Sequence, residues 1–216
     1  LIARIYRRIP ILHHEATGDN SWDLRLARVF DMNKPQNVAM CIVNSDYHKE
    51  PSVPGWLPMY ESKMFWQYNH RYGTYEGVSR RDQSRLPRPA VEHLSDPHYR
   101  VAPWYWVPEG AVRKALAGWK RQWIFAYRDT TNATNERSIV ATILPFAGTD
   151  FTVRLALTPA APVDVCLLLA NFNSMIFDYI ARQFIGNMHA SDYIVKQLPA
   201  IPPDGYTQDD RSFIVP

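Results

Sequence analysis

Cysteine is scarce in this sequence. Its 216 residues hold two, Cys41 and Cys166, too few for a disulfide framework or a cysteine-based structural zinc site. Both stand in apolar runs and read as buried, reduced thiols. There is no phosphate-binding loop of the Gly-Lys-Ser/Thr type, and Phe146-Ala147-Gly148 is too short for a glycine-rich cofactor loop. Methyl transfer to an exocyclic amine asks for a polar residue followed by Pro-Pro and an aromatic, which holds and stacks the flipped base. The one Pro-Pro pair, Pro202-Pro203, lies between Ile201 and Asp204 and lacks both flanking groups. His13-His14-Glu15 has no partner at metal-ligand spacing and reads as surface loop. The longest apolar stretch, Val163 to Ile185, is interrupted by Asp164, Asn171, Asn173, Ser174, Asp178, Arg182 and Gln183, so it is no ordinary membrane span. No signal-peptide pattern is visible. These absences lead to the expectation of a cytoplasmic chain that carries no catalytic residue, metal or cofactor of its own.

What is present suits a packed domain. The sequence is 46% hydrophobic and 13% aromatic, and its length fits one large domain or two small ones. It opens with Leu1-Ile2-Ala3-Arg4-Ile5-Tyr6, which looks like the inside of a strand, and is read as a piece of something longer. Residues Ile2 to Ile9 alternate like a strand, and Val38 to Val43 is a short apolar run that predicts a second, buried one. Pro108 to Trp119 reads as a short central helix with Pro108 at its start and Val112, Leu116 and Trp119 on one face. Trp123 to Tyr127 and Ser138 to Leu144 look extended, and Pro145 to Asp150 reads as a turn. Phe151, Val153, Leu155 and Leu157 alternate with polar or small residues as a half-buried strand. Val163 to Ile185 reads as one long helix, with a polar stripe of Asn171, Ser174, Asp178 and Arg182 and Gly186 as its C-cap. The tail Lys196 to Pro203 is expected to run extended and docked. The expected fold is therefore α+β, with a mixed or antiparallel sheet, a short central helix and a long C-terminal helix. The expected division is 1–45 as a linking segment with the first strands and 46–216 as the main domain, or one continuous domain over 1–216.

Net charge is +3, but unevenly spread. Residues 61–90 carry a net +3 and residues 113–137 a net +4, which leaves −4 for the remainder. Local basicity of this kind suits a polyanion partner. Three segments hold the residue types that contact nucleic acid. Lys63 to Tyr72 mixes bases, amides and aromatics: Lys63, Gln67, Asn69, His70 and Arg71. Arg80, Arg81, Arg85 and Arg88 follow as phosphate contacts. Arg128 to Arg137 is a polar loop offering Arg128, Asn132, Asn135 and Arg137, and Arg and Asn suit bidentate contacts to guanine and adenine. The polar stripe of the long helix together with Lys196 is the third. Each has a plainer alternative: an aromatic packing cluster, a solvated loop and a solvated helix face. One catalytic pattern stands beside these. Glu61-Ser62-Lys63, with Asp46 upstream, fits the acidic-x-Lys half of a magnesium nuclease site that activates water. A third possibility is a module that docks protein partners through its Trp and Tyr residues.

At these segments the sequence resembles the C-terminal target-recognition region of large adenine-specific DNA methyltransferases of type II restriction-modification and related phage-defence systems. The stretches that carry the resemblance are LPMYESKMFWQYNHRYGTYEG (57–77), YWVP (105–108), FAYRDTTNATNERSIVATILP (125–145), LLLANFNSMIFDYIARQFIG (167–186) and VKQLPAIPP (195–203). The resemblance implies a target-recognition-domain-like fold that reads bases of double-stranded DNA. It implies a partner, the catalytic domain of the same polypeptide, which binds S-adenosylmethionine and flips the adenine, and a parent enzyme that in some cases also cuts DNA. The N-terminal RIYRRIP and RVFDM look like the link from that catalytic domain. The family's Asn-Pro-Pro-Tyr-type motif does not occur here, so no catalytic residue carries over.

Overall fold

A computed structural model describes residues 1–43, 51, 54–132, 134–186 and 188–215. Asp46 therefore lies outside the described residues. The architecture is α+β, with two four-stranded sheets and eight α-helices among the described residues. The chain divides into two compact units. Unit 1 comprises Leu1–Ala27, Tyr127–Ala141 and Leu155–Pro216; unit 2 comprises Arg28–Ala126 and Thr142–Arg154.

The chain starts with a helix, α1 (Ile2–Tyr6), where alternation predicted a strand. Ile2, Ile5, Tyr6 and Ile9 are half-buried and the residues between them exposed, which is a 3.6-residue period. The Tyr6 hydroxyl donates to the Gln197 carbonyl at 3.0 Å. Strand β1 (Arg25–Ala27) follows, then α2 (Pro35–Ala39), started by Pro35, and β2 (Ile42–Val43). Val38, on α2, is exposed, and so are Ile42 and Val43, not buried as expected, β2 being the edge of the sheet ordered β2-β4-β3-β7. In that sheet β3 (Trp56–Tyr60) pairs antiparallel with β4 (Tyr105–Pro108) and parallel with β7 (Gly148–Thr149), which occupies the expected turn at 145–150. A 3-10 turn, η1 (Ser62–Met64), leaves the end of β3, and the short helix α3 (Val91–Ser95) precedes β4. Gly148 is required by proximity: a Cβ there would lie 2.4 Å from a methyl of buried Val107. The central helix α4 (Glu109–Ala115) is shorter than expected, with Pro108 as its cap instead of its first residue.

The second sheet has the order β1-β8-β5-β6, with β5 (Trp123–Arg128), β6 (Ala141–Pro145) and β8 (Val153–Leu157). All five residues of β8 are buried, Arg154 included, so both faces of this central strand are covered. Its sequence alternation therefore does not mark a solvent face.

The expected long helix is two. Helix α5 (Pro162–Asn173) ends where Ser174 takes an extended conformation, and the Ser174 hydroxyl caps α6 (Met175–Phe184) by accepting from the Phe177 N–H. The two are bent by 57°. The apolar period runs through the break, so sequence spacing alone does not reveal it. Helix α6 stops short of Gly186, with Ile185 as its cap. No single helix among the described residues is long and apolar enough to cross a membrane. Helix α7 (Asp192–Lys196) leads into the tail, which runs extended and docked as expected: the Leu12 N–H donates to the Leu198 carbonyl, the Ala200 N–H to that of Pro10, and Leu198 and Ala200 are buried. After the 3-10 turn η2 (Pro203–Gly205), the chain closes with α8 (Gln208–Ile214), whose Thr207 and Asp210 form a capping box. Both cysteines are free and half-buried, less enclosed than their apolar neighbours suggested.

Inside unit 1 the polar stripe is turned inward. Asp178 is buried, and its Oδ1 accepts the backbone N–H groups of Ser138 and Ile139, each at 2.7 Å, while Oδ2 takes Arg182 Nε at 2.9 Å. Replacing Asp178 by Ala leaves two buried donors and a guanidinium without their acceptor. The expected cost is about 3–5 kcal/mol, against about 1 kcal/mol for Ser174→Ala, which removes only the cap. Urea unfolding midpoints of the two variants check the ordering.

Candidate nucleic-acid interface

In unit 2 the first predicted reader segment is built as a tight turn on a packed base. Trp66 and Asn69 exchange backbone hydrogen bonds at 2.8 and 3.0 Å, which leaves Gln67 and Tyr68 at the tip. Tyr68 has a φ of 59°, a left-handed conformation that costs an aromatic residue, and its ring is 61% exposed. Below the tip, Trp66 stacks on Tyr72 with ring centres 5.2 Å apart, and Arg88 lies over the Tyr72 ring and donates to its carbonyl. The aromatics thus pack, as the plainer alternative has it, while exposed Asn69 projects from the turn with its Oδ1 accepting the Arg71 N–H. Gly73 lets the returning strand approach: a Cβ there would stand 2.7 Å from the Lys63 carbonyl oxygen.

Two of the predicted phosphate-binding cations are engaged in a buried ionic cluster. Arg81 Nε lies 3.2 Å from Glu61 Oε1 and its Nη2 lies 3.4 Å from Asp150 Oδ2. The Tyr75 hydroxyl donates to Glu61 Oε1 at 2.9 Å. Lys63 Nζ donates to the carbonyls of Arg81 and Gln83 at 2.6 and 2.9 Å and stands 3.7 Å from Glu61 Oε2. Burial pushes the Asp150 carboxyl up to about 7, and the negative charge of Glu61 adds to the rise; hydrogen bonds from Thr152 and the charge of Arg81 oppose it. Burial also pulls the Lys63 ammonium below its ordinary value, an effect that Glu61 opposes. The cluster brings the Glu61 and Lys63 of the nuclease pattern beside a second carboxylate, Asp150. A guanidinium, not an open space, lies between the two carboxylates, and the Lys63 ammonium points at backbone carbonyls. No group of three His, Cys, Asp or Glu side chains converges at metal-binding geometry among the described residues.

The remaining cations of this unit are held less tightly. Arg80 pairs with Asp82 on the open surface. Arg71 donates to the carbonyls of Leu94 and Asp96. Arg85 is exposed with no hydrogen bond or ion pair to the described residues. Burial, with Arg71 beside it, holds the His70 imidazole below its ordinary value, so it is neutral at pH 7.

In unit 1 the loop after β5 is clamped from below by the polar residues of α5 and α6. Asn173 meets both backbone groups of Ala141, accepting its N–H and donating to its carbonyl at 3.0 Å each. Arg137 donates to the Asn173 carbonyl. Arg182 Nη2 donates to the carbonyls of Asn135 and Glu136 at 2.7 Å each. Thr131 donates to the Ser138 carbonyl at 2.6 Å, and Asp129 meets His189 Nδ1 at 2.8 Å. Asn132 and Asn135 stand exposed on this frame, with Asn132 Oδ1 taking the backbone N–H and hydroxyl of Thr134. Arg128 is half-buried at the end of β5. Lys196 pairs with Glu15 at 2.6 Å. Helix α6 leaves Met175, Ile176 and Tyr179 exposed, an apolar row of the kind the protein-docking alternative asks for.

The fourteen predicted contact residues therefore separate by task. Lys63, Arg71, Arg81, Arg137 and Lys196 bind their own chain, as do Arg80 through Asp82 and Arg88 through Tyr72. Asn69, Arg80, Arg85, Arg88, Asn132 and Asn135 are exposed; Gln67, His70 and Arg128 are half-buried. Sequence reading missed Asp150, Asn173 and the loop-holding roles of Asp178 and Arg182. Asp150 and Arg81 are 69 residues apart, and Asp178 and Ser138 are 40 apart, so no local pattern joins them. Compared with protein-family models and with curated proteins, the chain matches none.

A pH dependence follows from the cluster. Asp150 keeps its proton in the folded chain up to about pH 7, whereas an unfolded aspartate loses it near the ordinary carboxylate value. Its contribution to stability is thus complete at acid pH and is lost as pH rises through about 7. Arg81→Ala removes the charge that compensates the two carboxylates, at an expected cost of about 3–5 kcal/mol at pH 8. The cost shrinks at pH 5.5, where a protonated Asp150 no longer needs the guanidinium. Denaturant melts of wild type and variant at both pH values check it.

Proposed function

We propose that this chain is the DNA target-recognition region of an adenine-specific DNA methyltransferase of a restriction-modification or phage-defence system. The observation that carries the reading is the ordered resemblance of five stretches across nearly the whole sequence. Those stretches fall on β3 and the turn after it, β4, the β5–β6 segment with its clamped loop, the α5–α6 pair and the docked tail. Polar loops held rigidly on packed elements suit sequence reading, because bidentate base contacts need fixed side-chain geometry.

In this reading the exposed guanidiniums of Arg80, Arg85 and Arg88 meet phosphates. The amides of Gln67 and Asn69 in unit 2, and of Asn132 and Asn135 in unit 1, face base edges. Lys63, Arg81, Arg137 and Lys196 act one step back, as positioning residues. The methyl donor, S-adenosylmethionine, binds to the catalytic domain of the same polypeptide, and no residue of this chain holds it.

Fluorescence anisotropy with a panel of duplexes tests the assignment. Arg85→Ala is expected to weaken binding to every duplex alike and to reduce the slope of log affinity against log salt by about one. Asn135→Ala is expected to lose about 1–3 kcal/mol of discrimination at one base pair, with non-specific affinity kept. The proposal fails if the chain has no salt-dependent affinity for any duplex, alone or with its catalytic domain restored.

A further inference from the structure

Unit 2 contains a cleft of about 460 Å³ whose lining includes Tyr60, His70, Arg71, Tyr99, Arg100 and Phe146. Its volume falls within the range of about 300–1,000 Å³ typical of small-ligand sites and exceeds what a lone inorganic anion fills. At its wall, Tyr60 is 3% exposed, and its hydroxyl has no hydrogen-bond partner among the described residues. That oxygen is not among the sealed, unpaired atoms of the interior, so it opens to the cleft. A phenol so deeply placed ordinarily finds a partner within its own protein. Burial raises its pKa well above the usual range, so it remains an O–H donor at any neutral pH; the cations Arg100 and Arg71 oppose the rise and Tyr99 adds to it. Arg71 is fixed in orientation by the carbonyls of Leu94 and Asp96. The carboxylate on the lining, Glu109, is already met by Arg113 at 2.5 Å.

A buried neutral donor on a lining that also carries Arg71 and Arg100 suits an oxyanion that accepts several hydrogen bonds, and phosphate fits that set best. On the same lining Tyr99 stacks one face on His93 and Phe146 has Arg113 over one face, so a planar base would stack on the remaining face of either ring. We propose that this cleft binds one nucleotide, with its phosphate against Arg71, Arg100 and the Tyr60 hydroxyl and its base against an aromatic wall. Two sources supply that chemistry: a nucleotide drawn out of a DNA strand, which rests on the recognition function proposed above, or a free nucleoside monophosphate, which does not.

The full 216-residue chain is titrated by calorimetry and anisotropy with three probes. These are deoxyadenosine 5′-monophosphate, a fully paired duplex, and the same duplex carrying one unpaired deoxyadenosine. Tyr60→Phe removes only the oxygen, and Arg100→Gln is the second variant. The hydroxyl has no partner to lose in the free protein, so Tyr60→Phe is expected to melt no lower than wild type. The expected result is a tenfold or greater preference for the duplex with the unpaired nucleotide, lost in both variants while affinity for the paired duplex is unchanged. Monophosphate binding that weakens about tenfold in both variants, with no preference between duplexes, upholds the site and assigns it to a free nucleotide. If neither variant alters binding of the monophosphate or of the unpaired-nucleotide duplex, the cleft proposal is overturned. Salt-dependent binding of the paired duplex is read separately, so the recognition function stands or falls on its own result.

Discussion

A carboxylate placed in a protein interior must be met by donors, and Asp178 is met by two backbone N–H groups on one oxygen and the Arg182 guanidinium on the other. That requirement fixes more than one side chain. It holds the start of the Ser138–Ala141 segment against α6, and with Arg182 and Asn173 it sets the path of the loop from Thr131 to Arg137. In unit 2 Arg81 does the equivalent work. By answering Glu61 and Asp150 it ties the loop that carries Arg80 and Arg85 to the end of β3. In each unit a surface that presents amides and guanidiniums is shaped by buried polar groups beneath it.

Residues of the same chemical type consequently do opposite things. Arg85 and Arg81 are four positions apart in a basic segment. One is open to solvent and the other lies between two carboxylates. Asn173 and Asn135 are both amides of the kind that read adenine, but Asn173 spends both its polar atoms on Ala141. Composition identifies a set of candidates; only the location of the compensating charge or backbone group shows which of them remain available to a partner.

The sequence was most legible where one period ruled and the environment matched it. The run Trp123 to Tyr127 reads as extended and lies in β5, which runs one residue further, and the proline-rich tail reads as docked and is. Where two periods fit, the reading went wrong: residues 2–9 alternate, but Ile2, Ile5, Tyr6 and Ile9 also share a helical face, and the helix is the form found. The polar stripe of α5 and α6 reads as a nucleic-acid reader or a solvated face and is neither, because its partners, around residues 135–141, are remote in sequence. The break at Ser174 was invisible since a serine suits a helix surface as well as a cap. The Thr207-x-x-Asp210 pattern before α8 is a start signal legible in the sequence. Of the candidate interface, the residue types were legible and their division into holders and presenters was not.

Strand β3 ends at Tyr60, and it and the next residue have unrelated surroundings: the phenol of Tyr60 borders the cleft, and the carboxylate of Glu61 joins Arg81. Adjacent residues of an extended chain point to opposite sides. A two-residue parallel pairing, Met59 with Gly148 and Tyr60 with Thr149, sets which goes where, and the Asp150 N–H seals it on the Tyr60 carbonyl. A slip of one residue along this short ladder would exchange phenol for carboxylate, closing the cleft with a negative charge and leaving the guanidinium facing a ring. The ladder is therefore a frame-keeper: its few hydrogen bonds contribute little to cohesion, yet they decide the electrical sign of two neighbouring surroundings at once.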